Sequence, residues 1–265
     1  MREIRQTRPQ LIWSTYPIST AHLIGGTLAR LSGLPWVADF RDPMINRGHP
    51  SDPLQRRAWQ WLEAKVLRDA SACVFTTASA AQTYAQRYPD QADKCHVIEN
   101  GYDEEAFAQT QASREGVAPG KLLLLHSGLI YPQERDPSTF FMAVRSLLDS
   151  GSMRSEDLCI RFRAPHHGAE VMACAQQHGL EQCVDVAPPI PYQRAIAEMM
   201  GADLLLVFQG SHFNTQIPAK IYEYLRAGRG ILAVVDPSGG TARQLAQFEA
   251  CQIADIASAD AIRTS

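Results

Sequence analysis

Short apolar runs alternate with amphipathic segments along the whole chain. Each run has the length of a strand, and helical periodicity follows it, as in parallel sheets that carry helices on both faces. The pattern therefore predicts strands in two series. They lie in QLIWSTY, PWVADF, ACVFTTAS and CHVIENG, and then in KLLLLHSG, LCIRFRAP, CVDVAPP, DLLLVFQG, GILAVVD and CQIADIA.

Helices are predicted after most of these strands. They are residues 19–33, 54–70, a segment that starts just after Ser79, 137–149, 168–178, 192–201, a segment that opens near Ile217, and 241–249. The polar stretch at residues 109–120 has the composition of a linker. We therefore predict an α/β protein with two Rossmann-like parallel-sheet domains, a partial N-terminal one at residues 1–106 and a C-terminal one at residues 107–265.

Composition narrows the class of protein. The chain has 265 residues, of which 45% are hydrophobic, and a formal net charge of −3, which gives no general attraction to nucleic acid. Six cysteines without a CxxC pair indicate reduced packing residues in a cytoplasmic protein. No apolar run reaches the roughly 18 residues that a membrane-spanning helix needs, although peripheral contact with the inner face of a membrane stays open.

The segment IPAKIYEYLRAGRGIL begins a helix with a lysine and a glutamate three residues apart. Asn214 or Thr215 is predicted to cap this helix, with Pro218 at about its first position. A cation at a helix start is mildly unfavourable, so Lys220 indicates a nearby anion. Glu223 lies one turn further, where two alternatives are equally compatible with the spacing: an ion pair with Lys220, or hydrogen bonds from a diol such as a ribose.

Two further loops of the second series could bind phosphate. In HSGLIYPQERDP the small residue Gly128 follows a predicted strand and Arg135 precedes a predicted helix. In VDPSGGTAR the residue Thr241 follows two glycines, where a simple turn with a threonine cap is the stronger alternative.

In the first series, DFRDPM places charged residues at the end of a strand. Asp39, Arg41 and Asp42 could position a hydroxyl-bearing substrate or supply a general base, and a structural salt-bridged turn is the alternative.

The histidines and the missing motifs argue against a metal site and against several other enzyme classes. His166 and His167 have no further ligand at metal spacing, so they are predicted to be solvated, and His22 and His126 are predicted to be packing or capping residues. No DxD, GxGxxG, GxxxxGK[ST] or GxSxG motif occurs, which argues against metal-bound sugar nucleotides, dinucleotide oxidoreductases, P-loop ATPases and serine hydrolases.

Four segments in this order resemble the retaining GT-B glycosyltransferases of family 4. They are VIENGYDEEAF, LLLLHSGLIYPQERDP, IPAKIYEYLRAGRGIL and GGTARQL. The resemblance implies a C-terminal domain that binds a nucleotide-diphosphate sugar as donor substrate, with no metal or other cofactor. It implies an N-terminal domain on the side of a glycan or lipid-linked acceptor.

The resemblance also implies site residues. Glu223 would bind the ribose hydroxyls, Lys220 the diphosphate, and Ile190 the base. The predicted donor-binding residues are Gly128, Arg135, Ile190, Lys220, Glu223 and Thr241, and the predicted catalytic pair on the acceptor side is Arg41 and Asp42.

The chain departs from the family pattern in three respects. Thr215 stands where the E-x7-E motif has its first acid, and Arg41 stands where relatives have histidine. The first strand of the family has no counterpart before Gln10, and the end is short, so we expect a sheet with an unpaired edge and exposed apolar side chains.

Three hypotheses follow from the resemblance and its departures. The first is a hexosyltransferase. The second is an inactive nucleotide-binding remnant, or the partner subunit of a split transferase that a complementing N-terminal fragment completes. The third, ranked lowest, is a GT-B sugar-nucleotide epimerase.

Overall fold

The computed structural model describes residues 2–46, 50–131 and 135–265, apart from the side chains of Arg2 and Arg5. The chain divides into two compact units, residues 1–100 with 215–217, and residues 101–214 with 218–265. The sequence placed this boundary after residue 106. Each unit is built on a parallel sheet with helices, so the predicted two-domain α/β class is confirmed.

The first unit has a four-stranded parallel sheet in the order β1-β2-β3-β4. Its elements are α1 (Arg2–Thr7), β1 (Ile12–Thr15), α2 (Ser19–Ser32), β2 (Trp36–Arg41), α3 (Pro53–Asp69), β3 (Ala72–Phe75), α4 (Ala78–Arg87) and β4 (Cys95–Val97). The register between β2 and β3 shifts between Asp39 and Arg41, at the carboxyl end of β2. This irregularity lies where the sequence placed its catalytic pair.

Local signals explain where the helices of the first unit begin and end. Gly33 ends α2 in the left-handed conformation, as a C-terminal glycine often does. The Asp52 carboxylate caps α3 by accepting from the backbone N–H of Gln55 at 2.7 Å. The Thr77 hydroxyl caps α4, so this helix starts at Ala78 and not after Ser79 as predicted.

Apolar side chains of β1 and α2 are exposed. β1 lies at one end of the strand order, and Trp13 on it is 51% exposed. Ile24 and Leu31 on α2 are 61% and 62% exposed. This is the region in which the sequence predicted an unpaired edge and exposed apolar side chains.

The second unit has a six-stranded parallel sheet in the order β10-β9-β8-β5-β6-β7. Its elements are α5 (Glu104–Ala108), β5 (Leu122–Ser127), α6 (Ser138–Asp149), β6 (Leu158–Arg163), α7 (Gly168–Gln177), β7 (Val184–Ala187), α8 (Tyr192–Gly201), β8 (Leu204–Gln209), α9 (Lys220–Ala227), β9 (Gly230–Val235), α10 (Gly240–Leu245), β10 (Cys251–Asp255) and α11 (Ala259–Thr264).

The order in which the chain adds strands to this second sheet reverses between β5 and β8. From β5 the chain adds β6 and β7 on one side, and it then crosses back to add β8, β9 and β10 on the other. β5 pairs with β8 through Leu124 and Leu125. In open α/β sheets ligands bind beyond the carboxyl ends of the strands at such a switch point, so the segments after β5 and β8 are the place to look for a site.

Most of the predicted helices are present, and the differences concern helix ends and three short helices. The predicted helix 241–249 stops at Leu245, since the backbone turns there before β10 begins at Cys251. The short helices α1, α5 and α11 were not predicted, because each is too short to show helical periodicity.

All six cysteines are free thiols. Within the described residues, no helix combines the length and the apolar character that crossing a membrane requires.

The linker packs tightly against the end of α8. The backbone N–H of Ser113 donates to the carbonyl of Ala197 at 2.8 Å. A Cβ added to Gly201, the last residue of α8, would lie 2.1 Å from the Ser113 carbonyl oxygen. Only glycine fits this position without displacement of the linker.

We expect Gly201→Ala to lower the free energy of unfolding by about 1–3 kcal/mol, because the added methyl group overpacks a backbone contact. The control is Gly101→Ala, where a Cβ would meet nothing within 4 Å. Urea unfolding followed by circular dichroism measures both. Equal midpoints for the two variants would contradict the role of this contact.

Candidate functional site

Lys220 is the first residue of α9, directly after the segment that leaves β8. The helix has Ala219 at its N-cap and no side-chain cap, so the predicted capping by Asn214 or Thr215 is wrong. The Asn214 amide donates instead to the Asp236 carboxylate at 2.8 Å. No side chain caps the start of α9, where the backbone N–H of Ile221 donates to the carbonyl of Pro218 at 3.0 Å.

The Lys220 amine reaches back to the neighbouring strand. Its Nζ lies 3.1 Å from Nε2 of His126, which is buried in β5. Nδ1 of the same imidazole lies 2.9 Å from the Leu206 carbonyl of β8, and a carbonyl can only accept. The proton of the neutral ring is therefore on Nδ1, and Nε2 accepts a hydrogen bond from Lys220.

Gly128 completes the contact from the loop after β5. Its φ is +109°, a value that residues with a side chain rarely adopt. A Cβ added there would lie 3.2 Å from Lys220 Nζ. The loop is also tied to α9 itself, because the backbone N–H of Ser127 donates to the Tyr224 hydroxyl at 2.8 Å. The predicted residues Gly128 and Lys220 therefore lie together at the switch point.

Arg135 brings a positive charge to this place. Its guanidinium donates to the Leu129 carbonyl at 3.0 Å and lies over the Tyr131 ring, 5.5 Å from the ring centre to Cζ. Burial lowers the pKa of Lys220 to about 7, and the charge of Arg135 lowers it in the same direction. Burial, and then the charge of Lys220, lower the pKa of His126 well below its ordinary value, so the imidazole is neutral.

Glu223 lies one turn along α9 and has its own partner. The Tyr192 hydroxyl, at the start of α8, donates to Oε1 of Glu223 at 2.8 Å. Lys220 and Glu223, both described by the structure, form no ion pair with each other. Of the two alternatives left by the sequence, the Lys220–Glu223 pair is therefore not formed, and the second carboxylate oxygen of Glu223 remains available for another donor.

Ile190 lies in the loop after β7 and lines a cavity of about 320 Å³. The walls of this cavity include Arg163 and Glu198, whose side chains are joined at 2.6 Å. Burial opposes ionisation of Glu198, but Arg163 and Arg161 hold its pKa below the ordinary value. Arg161 also contacts the Asp185 carboxylate at 2.7 Å, so the charges of these two arginines and two acids balance beside Ile190.

Thr241 is buried in α10, and its hydroxyl donates to the Gln209 side chain at the end of β8. The Gln209 amide in turn donates to the carbonyl of Phe213 at 2.9 Å. These contacts fix the loop that leads towards α9. A direct donor contact of the Thr241 hydroxyl stays a prediction.

The predicted catalytic pair lies in the first unit, at the end of β2. Arg41 has a φ of +54°, and its carbonyl accepts from the backbone N–H and the hydroxyl of Thr76. Burial raises the pKa of Asp42, Arg41 lowers it, and the Asp39 carboxylate raises it. Strained backbone of this kind is held only where the surroundings determine it, and it often marks functional positions.

Three further histidines that the sequence singled out, His22, His166 and His167, lie outside the buried lysine contact. His22 is buried, and its Nδ1 lies 2.8 Å from the Ser14 hydroxyl, as a packing residue would. Burial lowers the pKa of His22 to about 4. His167 lies 3.2 Å from the Glu170 carboxylate, and His166 is exposed.

Sequence reasoning missed two residues of the site. His126 was predicted to be a packing or capping residue, and Tyr192 was not singled out. Both lie beside predicted residues only because distant strands and helices meet, β5 with β8 and α8 with α9. A signal for Tyr192 was present, since it opens the helix that directly follows Ile190.

The comparisons with known proteins agree with this architecture. Residues 1–101 match the glycosyl transferase 4-like domain. No curated protein matches the chain.

Solved structures with a similar fold cover almost the whole chain. Anabaena Alr3699/HepE in complex with UDP is 16% identical, with a TM-score of 0.72 over 99% of this chain and 71% of that chain. Sucrose-phosphate synthase (tll1590) from Thermosynechococcus elongatus is 12% identical, with a TM-score of 0.71 over 99% and 65%. A trehalose 6-phosphate synthase from Burkholderia multivorans is 12% identical, with a TM-score of 0.73 over 99% and 64%.

Two Rossmann-like units of parallel strands, similar to these structures, define the GT-B fold. The part of the chain that matches the glycosyl transferase 4-like domain lies in the first of these units, apart from its last residue. The predicted resemblance to GT-B glycosyltransferases of the family 4 type is therefore confirmed.

Lys220 is expected to titrate near pH 7. In the unfolded chain its pKa returns to about 10.5, so Lys220 disfavours folding below pH 7, and this penalty is relieved as the pH rises towards 10.5. NMR of chain labelled with ¹³C at lysine Cε measures the titration, and loss of the signal in Lys220→Arg assigns it. A midpoint near 10.5 for every lysine signal would contradict the buried contact.

Proposed function

We propose that the chain is a glycosyltransferase that moves a hexose from a nucleotide-diphosphate sugar to a glycan or lipid-linked acceptor, with retention and without a metal ion. The observation that carries the proposal is the position of Lys220 against Gly128 at the switch point of the second sheet, with Glu223 one turn further along α9. The similar HepE structures, which contain UDP or UDP with glucose, support the same class of donor.

Three features of the site suit the diphosphate of such a donor. Gly128 has no side chain, so phosphate oxygens can approach the backbone of the loop after β5. The start of α9 has no capping side chain and offers the positive end of the helix dipole. Lys220 and Arg135 add positive charge, which stabilises the diphosphate as it leaves the sugar.

Glu223 and Ile190 suit the nucleoside. The Tyr192 hydroxyl holds one carboxylate oxygen of Glu223, and the other can accept hydrogen bonds from the ribose hydroxyls. The cavity beside Ile190 could receive the base, which carries no charge. Thr241 supports the donor site from within the fold through its contact with Gln209.

Arg41 and Asp42 act on the acceptor side in this proposal. A carboxyl group with a raised pKa can hold or accept the proton of a sugar hydroxyl. Arg41 lowers the pKa of Asp42 and so favours its charged form. The strained turn at Arg41 would fix the direction of both side chains.

Nucleotide binding tests the donor site. UDP, GDP and ADP are titrated by calorimetry, and we expect one of them to bind. Glu223→Ala should weaken binding about 10- to 100-fold, because hydrogen bonds to a charged group contribute about 1.5–3 kcal/mol. It should also remove the preference for the ribonucleotide over its 2′-deoxy form.

The matched control is Glu249→Ala, an exposed glutamate in the same unit, which should leave binding unchanged. If Glu223→Ala binds nucleotide as the natural chain does, the donor-site assignment is wrong. Release of nucleotide from UDP-glucose with mixed acceptors then tests transfer. Binding without release would favour the inactive remnant over the transferase.

Gly128→Ala tests the phosphate cradle against Gly120→Ala. Both glycines have positive φ, +109° and +85°, so alanine at either strains the backbone by about 1 kcal/mol. Only at Gly128 does the added methyl group meet Lys220, since a Cβ at Gly120 meets nothing within 4 Å.

We therefore expect similar losses of stability in urea unfolding, with nucleotide binding weakened about tenfold or more in Gly128→Ala alone. If Gly128→Ala binds nucleotide as tightly as Gly120→Ala does, the loop after β5 is not the phosphate cradle.

A further inference from the structure

His126 has a contact that a packing residue would not need. It is packed between Phe162 and Phe208, with ring centres at 5.9 Å and 5.4 Å, and yet both ring nitrogens have polar partners. Nδ1 donates to the Leu206 carbonyl, so the ring cannot turn without losing this bond. Nε2 is therefore held facing the Lys220 amine.

This arrangement decides what Lys220 can do. A neutral imidazole accepts a hydrogen bond and gives the amine a direction, but it supplies no negative charge to keep the amine protonated. The charged groups around Lys220 are Arg135 from the loop after β5, which opposes protonation, and Glu223 on α9, which favours it. An arriving diphosphate would add the missing negative charge.

We propose that His126 is a positioning residue of the donor site, which orients the Lys220 amine so that it binds the diphosphate together with a proton from solvent. The inference rests on the proposed function. On binding, Lys220–NH₂ takes up one proton to become Lys220–NH₃⁺, and the ammonium then donates both to His126 Nε2 and to a phosphate oxygen. No bond other than this N–H bond is formed.

Two variants separate positioning from packing. His126→Gln places an amide oxygen near the position of Nε2, so it keeps an acceptor for Lys220. His126→Asn keeps a donor near the position of Nδ1 for Leu206, but its side chain is too short to reach Lys220. Both are polar and similar in volume, and urea unfolding shows how far each alters the fold.

The experiment is a calorimetric titration of the full chain with UDP from pH 5.5 to pH 9, in buffers of different ionisation enthalpy. For the natural chain at pH 8 we expect uptake of about one proton and an affinity that falls as the pH rises above 7. For His126→Asn we expect about tenfold weaker binding at pH 8 and a fall that begins at lower pH. His126→Gln should restore most of the natural profile.

Uridine, which has no phosphate, is the control ligand and should bind all three chains equally. If UDP binds the natural chain no better than uridine, the proposed diphosphate site itself is wrong. If UDP binding depends on Lys220 but has the same pH profile in the natural chain and in His126→Asn, only the role of His126 is wrong. Equal weakening of UDP and uridine binding in His126→Asn would show that His126 acts through packing alone.

Discussion

The contact between Lys220 and His126 is the interaction on which the candidate site depends. It joins the start of α9 to the end of β5 at the switch point, where the strand order of the second sheet reverses. A side chain at Gly128 would be strained by the φ of +109° and would crowd the lysine amine. The orientation of the amine follows from the Leu206 carbonyl, which fixes the tautomer of the imidazole.

Burial of a basic group in this way costs free energy. Removing an amine from water disfavours its charged form, and Arg135 adds to this effect. A leucine or methionine at this position would pack without the penalty. The presence of a lysine therefore agrees with a ligand whose negative charge compensates the loss of solvation, as the resemblance to nucleotide-sugar transferases suggests.

Most of the fold could be predicted from the sequence because its signals are local. Apolar runs of strand length, the glycine at residue 33 and the caps of α3 and α4 act within a few residues. The start of α9 could not be predicted, since Asn214 is bound by Asp236, a partner from the next strand-to-helix loop. The roles of His126 and Tyr192 depend on neighbours far away in the sequence, which periodicity does not identify.

The hydrogen bond from the Ser127 N–H to the Tyr224 hydroxyl means that the loop after β5 and the helix α9 would have to be engineered together. It ties the glycine loop after β5 to α9 one turn beyond Lys220, so neither segment can be re-aimed without the other. A chimera that imports only the loop, or only the helix, from a related transferase would separate a buried hydroxyl from its partner. Specificity in this fold would therefore be exchanged by grafting residues 126–131 and 217–227 as a pair.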